Sequence, residues 1–181
     1  MTCVIGLVEQ SRVWIGADAA TTWGDTRLQV TSNPKVFRVG KFLIGSSGSG
    51  RTQRILRHGW NPPPQRKLAL ETYISTVVVD SMRKVLMDGG VAEKKGNVED
   101  AGGDVLLAYR GHLFRMDSDY AVDEARLPYD AVGCGAHIAL GAMYAQKNTP
   151  AKQRILTALR ASQEHDWGVR GPFTIEVLEA K

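Results

Sequence analysis

Thr2 holds the greatest chemical potential in this chain, because only the initiator Met precedes it. Methionine aminopeptidases generally trim Met before a small side chain, and trimming here leaves Thr2 with a free α-amine. A terminal threonine carries nucleophile and base on one residue, since its hydroxyl can lose its proton to its own amine, directly or through a water. An internal threonine has no such base. Asp18, Lys35 and the glycine-rich run Gly45-Ser46-Ser47-Gly48-Ser49-Gly50 follow it in order.

The flanking elements have to bring these residues together. Residues 3–8 read as an apolar strand, 9–11 as a polar turn and 12–17 as a second β-rich strand ending at Asp18. Antiparallel pairing about that turn returns Asp18 to the height of Thr2. Residues 19–32, with Trp23, Gly24 and Asp25, read as a polar loop beside the site. Strands follow at 35–39 and 41–45, then a short helix at 51–58 that Pro62, Pro63 and Pro64 bring to an end. Apolar residues at helical spacing over 68–87 predict a long amphipathic helix whose stripe serves packing or subunit contact. A polar loop spans 89–103, a hairpin 104–116, a strand 129–134, helices 136–146 and 151–165, and a closing strand 172–178. The order predicts one mixed α and β domain over residues 1–181, largely antiparallel, with no internal repeat.

Composition narrows the classes. At 181 residues and 43% hydrophobic content the chain suits one substantial core. The net charge of +4, with 23 Lys and Arg spread among 19 Asp and Glu, describes a mixed solvated surface rather than a nucleic-acid footprint. Cys3 and Cys134 lie in apolar surroundings, which suits buried thiols in a reducing compartment. His58, His112, His137 and His165 stand singly, so no metal ligand set is expected. The N-terminus lacks a secretory pattern and no apolar run spans a bilayer, which predicts a cytoplasmic protein without membrane attachment.

Thr2, Gly16-Ala17-Asp18, Lys35-Val36-Phe37-Arg38-Val39, Ile44-Gly45-Ser46-Ser47-Gly48, Tyr129 to Ala136 and Ala139-Leu140-Gly141-Ala142 together resemble the proteasome β-subunits, and among them the HslV-like bacterial peptidases. The resemblance spans nearly the whole chain. It implies an N-terminal nucleophile hydrolase fold of class α+β: a four-layer αββα sandwich of two antiparallel sheets between helical layers. It implies Thr2 as nucleophile, Lys35 as the cation that favours loss of the threonine proton, Asp18 as its compensating carboxylate and Gly45 as an oxyanion donor. Thr21, Leu43 and Ser47 match substrate-pocket positions. Two positions depart from the pattern: Cys134 stands where a serine is usual, and Val169 replaces the serine that follows Asp166. Asp166 either supports the amine of Thr2 or caps structure near a helix end.

The activity implied is threonine-type hydrolysis of peptide bonds in unfolded protein, without a cofactor, inside a homo-oligomeric and stacked ring served by an ATP-dependent unfoldase ring. Two other functions fit the same residues: an amidohydrolase of small amides, and a non-catalytic ring subunit. Cys3 becomes a terminal nucleophile only if Thr2 is also removed, a cleavage for which the sequence carries no signal.

Overall fold

The strands β1 (Val4–Glu9) and β2 (Arg12–Ala17) are joined by Gln10 and Ser11, both at positive φ (51° and 62°). Two consecutive positive-φ residues match the right-handed twist of the strands they connect, so the turn closes the hairpin without splaying it. β1 also pairs with β12 (Tyr129–Val132), and β2 with β13 (Thr174–Glu179), giving an antiparallel sheet ordered β12-β1-β2-β13. A second antiparallel sheet is ordered β11-β10-β9-β6-β5, from β5 (Val36–Val39), β6 (Phe42–Ser46), β9 (Val105–Tyr109), β10 (His112–Met116) and β11 (Val122–Glu124). The structure, a computed structural model, describes residues 1–23, 27–95 and 97–180.

Helix α1 (Gly50–Gly59) starts at Ser49, whose hydroxyl accepts the N–H of Arg51 at 3.2 Å. α2 (Leu70–Thr72) runs through a π-helical stretch, Tyr73–Val78, into α3 (Val79–Asp88). α4 (Ala136–Ala145) and α5 (Ala151–His165) follow β12.

Strand period decides which core each side chain joins. Along β1, Ile5 and Leu7 join an apolar cluster with Ala139, Ile155 and Leu159 of α4 and α5, whereas Val4 joins Val13, Ile15, Leu43 and Leu106 in a cluster that links the two sheets. Along β9, Leu106 and Ala108 enter that linking cluster. Val105, Leu107 and Tyr109 pack with Leu56 of α1 and Met82 and Leu86 of α3. With both faces covered, these strands read as continuous apolar runs rather than alternating ones. The architecture is α+β.

Two expected loops contain paired strands. Residues 19–32 hold β3 (Ala20–Trp23) and β4 (Arg27–Val30), in which Thr21 faces Gln29 and Thr22 faces Leu28. β-Branched threonines favour extended backbone, and their polar character masked that preference in the sequence. Gly24 and Asp25 lie outside the described residues. The 89–103 segment includes β7 (Glu93–Lys95) and β8 (Val98–Asp100).

Gly45 is the sharper departure. It is an interior residue of β6, paired with Val36 on one side and Leu106 on the other, so its backbone belongs to the ladder and not to an oxyanion site. A Cβ there would press on Val4 Cγ1 and stand 2.8 Å from Ile15 Cγ2. Its small size serves the approach of the two sheets. Both neighbours are β-branched and stiff, so Gly45→Ala is expected to lower stability by about 1–3 kcal/mol. A urea unfolding midpoint unchanged from wild type would contradict this packing account.

Candidate active site

The registers of β1 assemble the site. Val4 stands opposite Ala17 in β2, so the next residue, Asp18, reaches the backbone of Cys3 and accepts its N–H at Oδ1, 2.9 Å. Val4 also stands opposite Val132 in β12, which brings Gly133 to Gly135 alongside Thr2. The N–H of Gly135 donates to the carbonyl of Thr2 at 3.2 Å. Gly133 has φ +94°, and a Cβ there would collide with that carbonyl, so this turn demands glycine. Lys35 precedes β5, and its carbonyl accepts the N–H of Ser46 at the end of β6.

At the centre, Lys35 Nζ donates to Asp18 Oδ1 at 2.8 Å, to Thr2 Oγ1 at 2.9 Å and to the Met1 carbonyl at 3.2 Å. An ammonium has three protons, and each has an acceptor here. The Thr2 hydroxyl donates to the Met1 carbonyl at 2.5 Å. Asp18 Oδ2 accepts the backbone N–H of Ala20 at 2.9 Å and of Arg170 at 3.4 Å. Thr2, Asp18 and Lys35 are 3%, 2% and 4% exposed, so the cluster is almost wholly buried. Burial holds the Lys35 ammonium below its ordinary pKa of 10.5, against the opposing pull of Asp18. A lysine of this kind gives up its proton more readily than one on the surface.

Cys134 sits at the exposed edge, where its Sγ accepts the backbone N–H of Thr2 at 3.2 Å and lies 3.4 Å from the Thr2 backbone carbonyl. Partial burial raises its thiol pKa, the Thr2 backbone lowers it, and neighbouring Asp166 raises it further. Asp166 follows α5 and accepts the N–H of Gly168 at Oδ1, 2.9 Å, which is the capping arrangement. It therefore shapes the turn after α5 while facing Cys134. Val169 is fully buried in the cluster with Cys3 and Ala136, which accounts for an apolar side chain at that position. Burial pushes the Cys3 thiol up to about 12, so Cys3 is an inert packed thiol.

Thr2 and Lys35 line a cavity of about 840 Å³ with Thr21, Thr22, Asn33 and Gly48. Of the pocket residues expected from sequence, Thr21 is there and two are not. Leu43 is wholly buried in the cluster that links the sheets, and the Ser47 hydroxyl is spent on the Asp104 carbonyl at 3.0 Å. The alternation of β6 turns Leu43 inward, and Ser47 lies just past the end of that strand against Asp104; motif position alone does not tell which way a residue faces. Gly48 was missed. It has φ +80° and lies against Gly102, with a backbone that leaves no room for a side chain. Its position two residues past β6, in the longest unbroken Gly/Ser stretch of the sequence, was the available signal. Arg170 was also missed: its guanidinium donates to the carbonyls of Gln163, Asp166 and Val169 and so locks the loop that reaches Asp18.

Among the described residues no group of three or more His, Cys, Asp or Glu could hold a metal ion, and no helix is long and apolar enough to cross a membrane. A second cavity, of about 420 Å³, lies at the far end of β5 and β6 around Phe42, Tyr73 and Tyr109.

Two antiparallel sheets bring a threonine, a lysine and a carboxylate together beside the start of the first strand. Solved structures place the fold further. BPH from Thiobacillus denitrificans, determined in complex with epoxomicin, superposes with a TM-score of 0.81 at 23% identity, covering 99% of both chains. HslV from Trypanosoma brucei gives 0.69 at 16% identity, covering 98% of this chain and 99% of that one. Anbu, an ancestral beta-subunit, from Yersinia bercovieri gives 0.69 at 16% identity, covering 98% and 81%. The chain has the fold of this proteasome-like and HslV-like group, as its motifs implied. No protein-family model and no curated protein sequence matches the chain.

The ion pair makes two measurable demands. Lys35→Met leaves Asp18 buried without its cation and is expected to cost about 3 kcal/mol, less if protonated Asp18 relaxes; restoring neutrality with Asp18→Asn in the same chain recovers part of the loss. Because the folded pKa of Lys35 lies below its unfolded value, the unfolded chain binds more protons between the two. The stability contributed by this group therefore rises with pH through that interval. Wild-type and Lys35→Met unfolding midpoints followed from neutral to alkaline pH should diverge with that sign; parallel curves would contradict it.

Proposed function

We propose that the chain is a threonine peptidase of a proteasome-like ring, acting through Thr2 once Met1 has been removed. The observation that carries this reading is the 2.9 Å contact between Lys35 Nζ and Thr2 Oγ1, with the lysine compensated by buried Asp18. The Thr2 oxygen would attack the substrate carbonyl carbon while its proton passes to the freed α-amine of Thr2. Lys35 lowers the cost of negative charge on that oxygen. The tetrahedral oxyanion would be met by backbone N–H, for which Gly48, on the cavity wall, replaces Gly45 as the candidate donor. The proton then returns to the leaving amine, and water hydrolyses the remaining ester to release the second fragment and restore the hydroxyl. Cys134, beside the Thr2 nitrogen, is suited to relay a proton less strongly than a hydroxyl would be.

The same reading carries the rest of the family pattern to this chain: a four-layer αββα sandwich over residues 1–181, a stacked homo-oligomeric ring in the cytoplasm, and an ATP-dependent unfoldase ring that feeds it unfolded polypeptide. A ring would restrict an unselective site to chains that can be threaded into it. One observation favours the non-catalytic alternative for the unprocessed chain. With Met1 attached, the Thr2 nitrogen is an amide, and the Met1 carbonyl occupies both the Thr2 hydroxyl and a Lys35 proton.

Hydrolysis of fluorogenic peptides and of an unfolded protein, by material whose mass shows loss of Met1, tests the proposal. Thr2→Ala is expected to lower turnover by at least about a thousandfold and Thr2→Ser to keep a measurable part of it. Equal turnover by wild type and Thr2→Ala sinks the peptidase reading, and turnover of small amides alone redirects it to an amidohydrolase.

A further inference from the structure

The charges around the Thr2 cavity are one-sided. Lys35 is neutralised by Asp18, yet Arg51 and Arg54 of α1 also line the cavity, and no described residue on its wall is Asp or Glu. Apart from the α-ammonium of Met1, which donates to the Thr22 hydroxyl at 2.8 Å, the other polar groups there, including Thr21, Gln29, Thr31 and Asn33, are neutral. Three residues apart on a helix, Arg51 and Arg54 share a face. Their helix is anchored to the site, since Gln53 is buried and donates from Nε2 to the carbonyl of Ser46 at 3.1 Å, directly before the Ser47-Gly48 turn. The two guanidiniums differ in occupation. Arg51 is held by the carbonyl of Gly89 at 2.7 Å, and Arg57, beyond Arg54 on the same helix, donates to Asn33 at 3.4 Å. Arg54 has no hydrogen bond or ion pair with a described residue. The first turn of α1 also carries no carboxylate that would offset the positive potential.

We infer that this cavity selects substrates with a carboxylate side chain next to the scissile bond, read by Arg54 with support from Arg51. This rests on the peptidase reading of Thr2 and names its substrate class. A guanidinium presents a planar fork that matches a carboxylate. A substrate carboxylate supplies the acceptor that the wall lacks. An ammonium side chain meets two like charges and is rejected.

Three fluorogenic peptide amides that differ only in Glu, Leu or Lys before the scissile bond provide the test, with Met1-free protein. The Glu substrate is expected to exceed the Leu substrate in kcat/KM by about tenfold or more and the Lys substrate by more again. Added salt narrows the ratio. Arg54→Glu reverses the order of the Glu and Lys substrates, and Arg54→Gln levels it; both side chains are exposed on the helix, and thermal unfolding checks that each variant folds. Equal rates for all three peptides, or a ratio indifferent to Arg54→Glu, overturn the inference while leaving Thr2 as a nucleophile. Absence of any hydrolysis, together with no adduct at Thr2 from an uncharged β-lactone, instead overturns the peptidase reading beneath it.

Discussion

An ammonium taken out of water needs an acceptor for every proton and a countercharge close by, and the interior of this protein is arranged around meeting that need for Lys35. Its three contacts are Asp18, the Thr2 hydroxyl and the Met1 carbonyl. Asp18 is itself satisfied by the backbone N–H groups of Cys3, Ala20 and Arg170. One buried ion pair therefore ties together the start of β1, the end of β2, the approach to β5 and the loop after α5. Such pairs contribute little net stability compared with an apolar replacement, because desolvation consumes the Coulombic gain. In this core the pair also holds the Thr2 hydroxyl, 2.9 Å from Lys35 Nζ.

The two sheets make that arrangement possible. β1 is held on both sides, by β2 and β12, and its registers are the reason that Asp18 and Gly133-Cys134-Gly135 reach Thr2 at all. A slip of one residue would exchange Val4 and Ile5 between two different cores, so the hydrophobic pattern also protects the chemistry from misregister. Gly45 and Gly133 meet a related requirement at close quarters: one allows the sheets to approach, the other lets the β12 turn pass the Thr2 carbonyl. The charged α1 face then adds a character that the neutralised Thr2, Asp18 and Lys35 cluster itself does not have.

The parts legible in the sequence were those governed by local pattern. The first hairpin, helices α4 and α5 and the closing strand followed from local pattern and turn residues, and Thr2, Asp18 and Lys35 do come together. What stayed hidden depended on which face of a strand a residue takes once both faces are buried. Leu43 and Gly45 fall between the sheets for that reason, and Gly48, one turn further, enters the cavity in their place. Arg170 was invisible because its role is to collect backbone carbonyls, which no motif records. The hairpin at 20–30 was concealed by threonines whose polarity suggested a loop.

Whether Thr2 is a working nucleophile is best decided by the intact mass of the purified protein before and after exposure to a β-lactone, with the modified residue mapped by fragmentation. The account predicts loss of Met1 and a single adduct on Thr2, absent when Lys35 is replaced by Met. A chain that keeps Met1 and takes no adduct, or one modified at Cys134 alone, would contradict it.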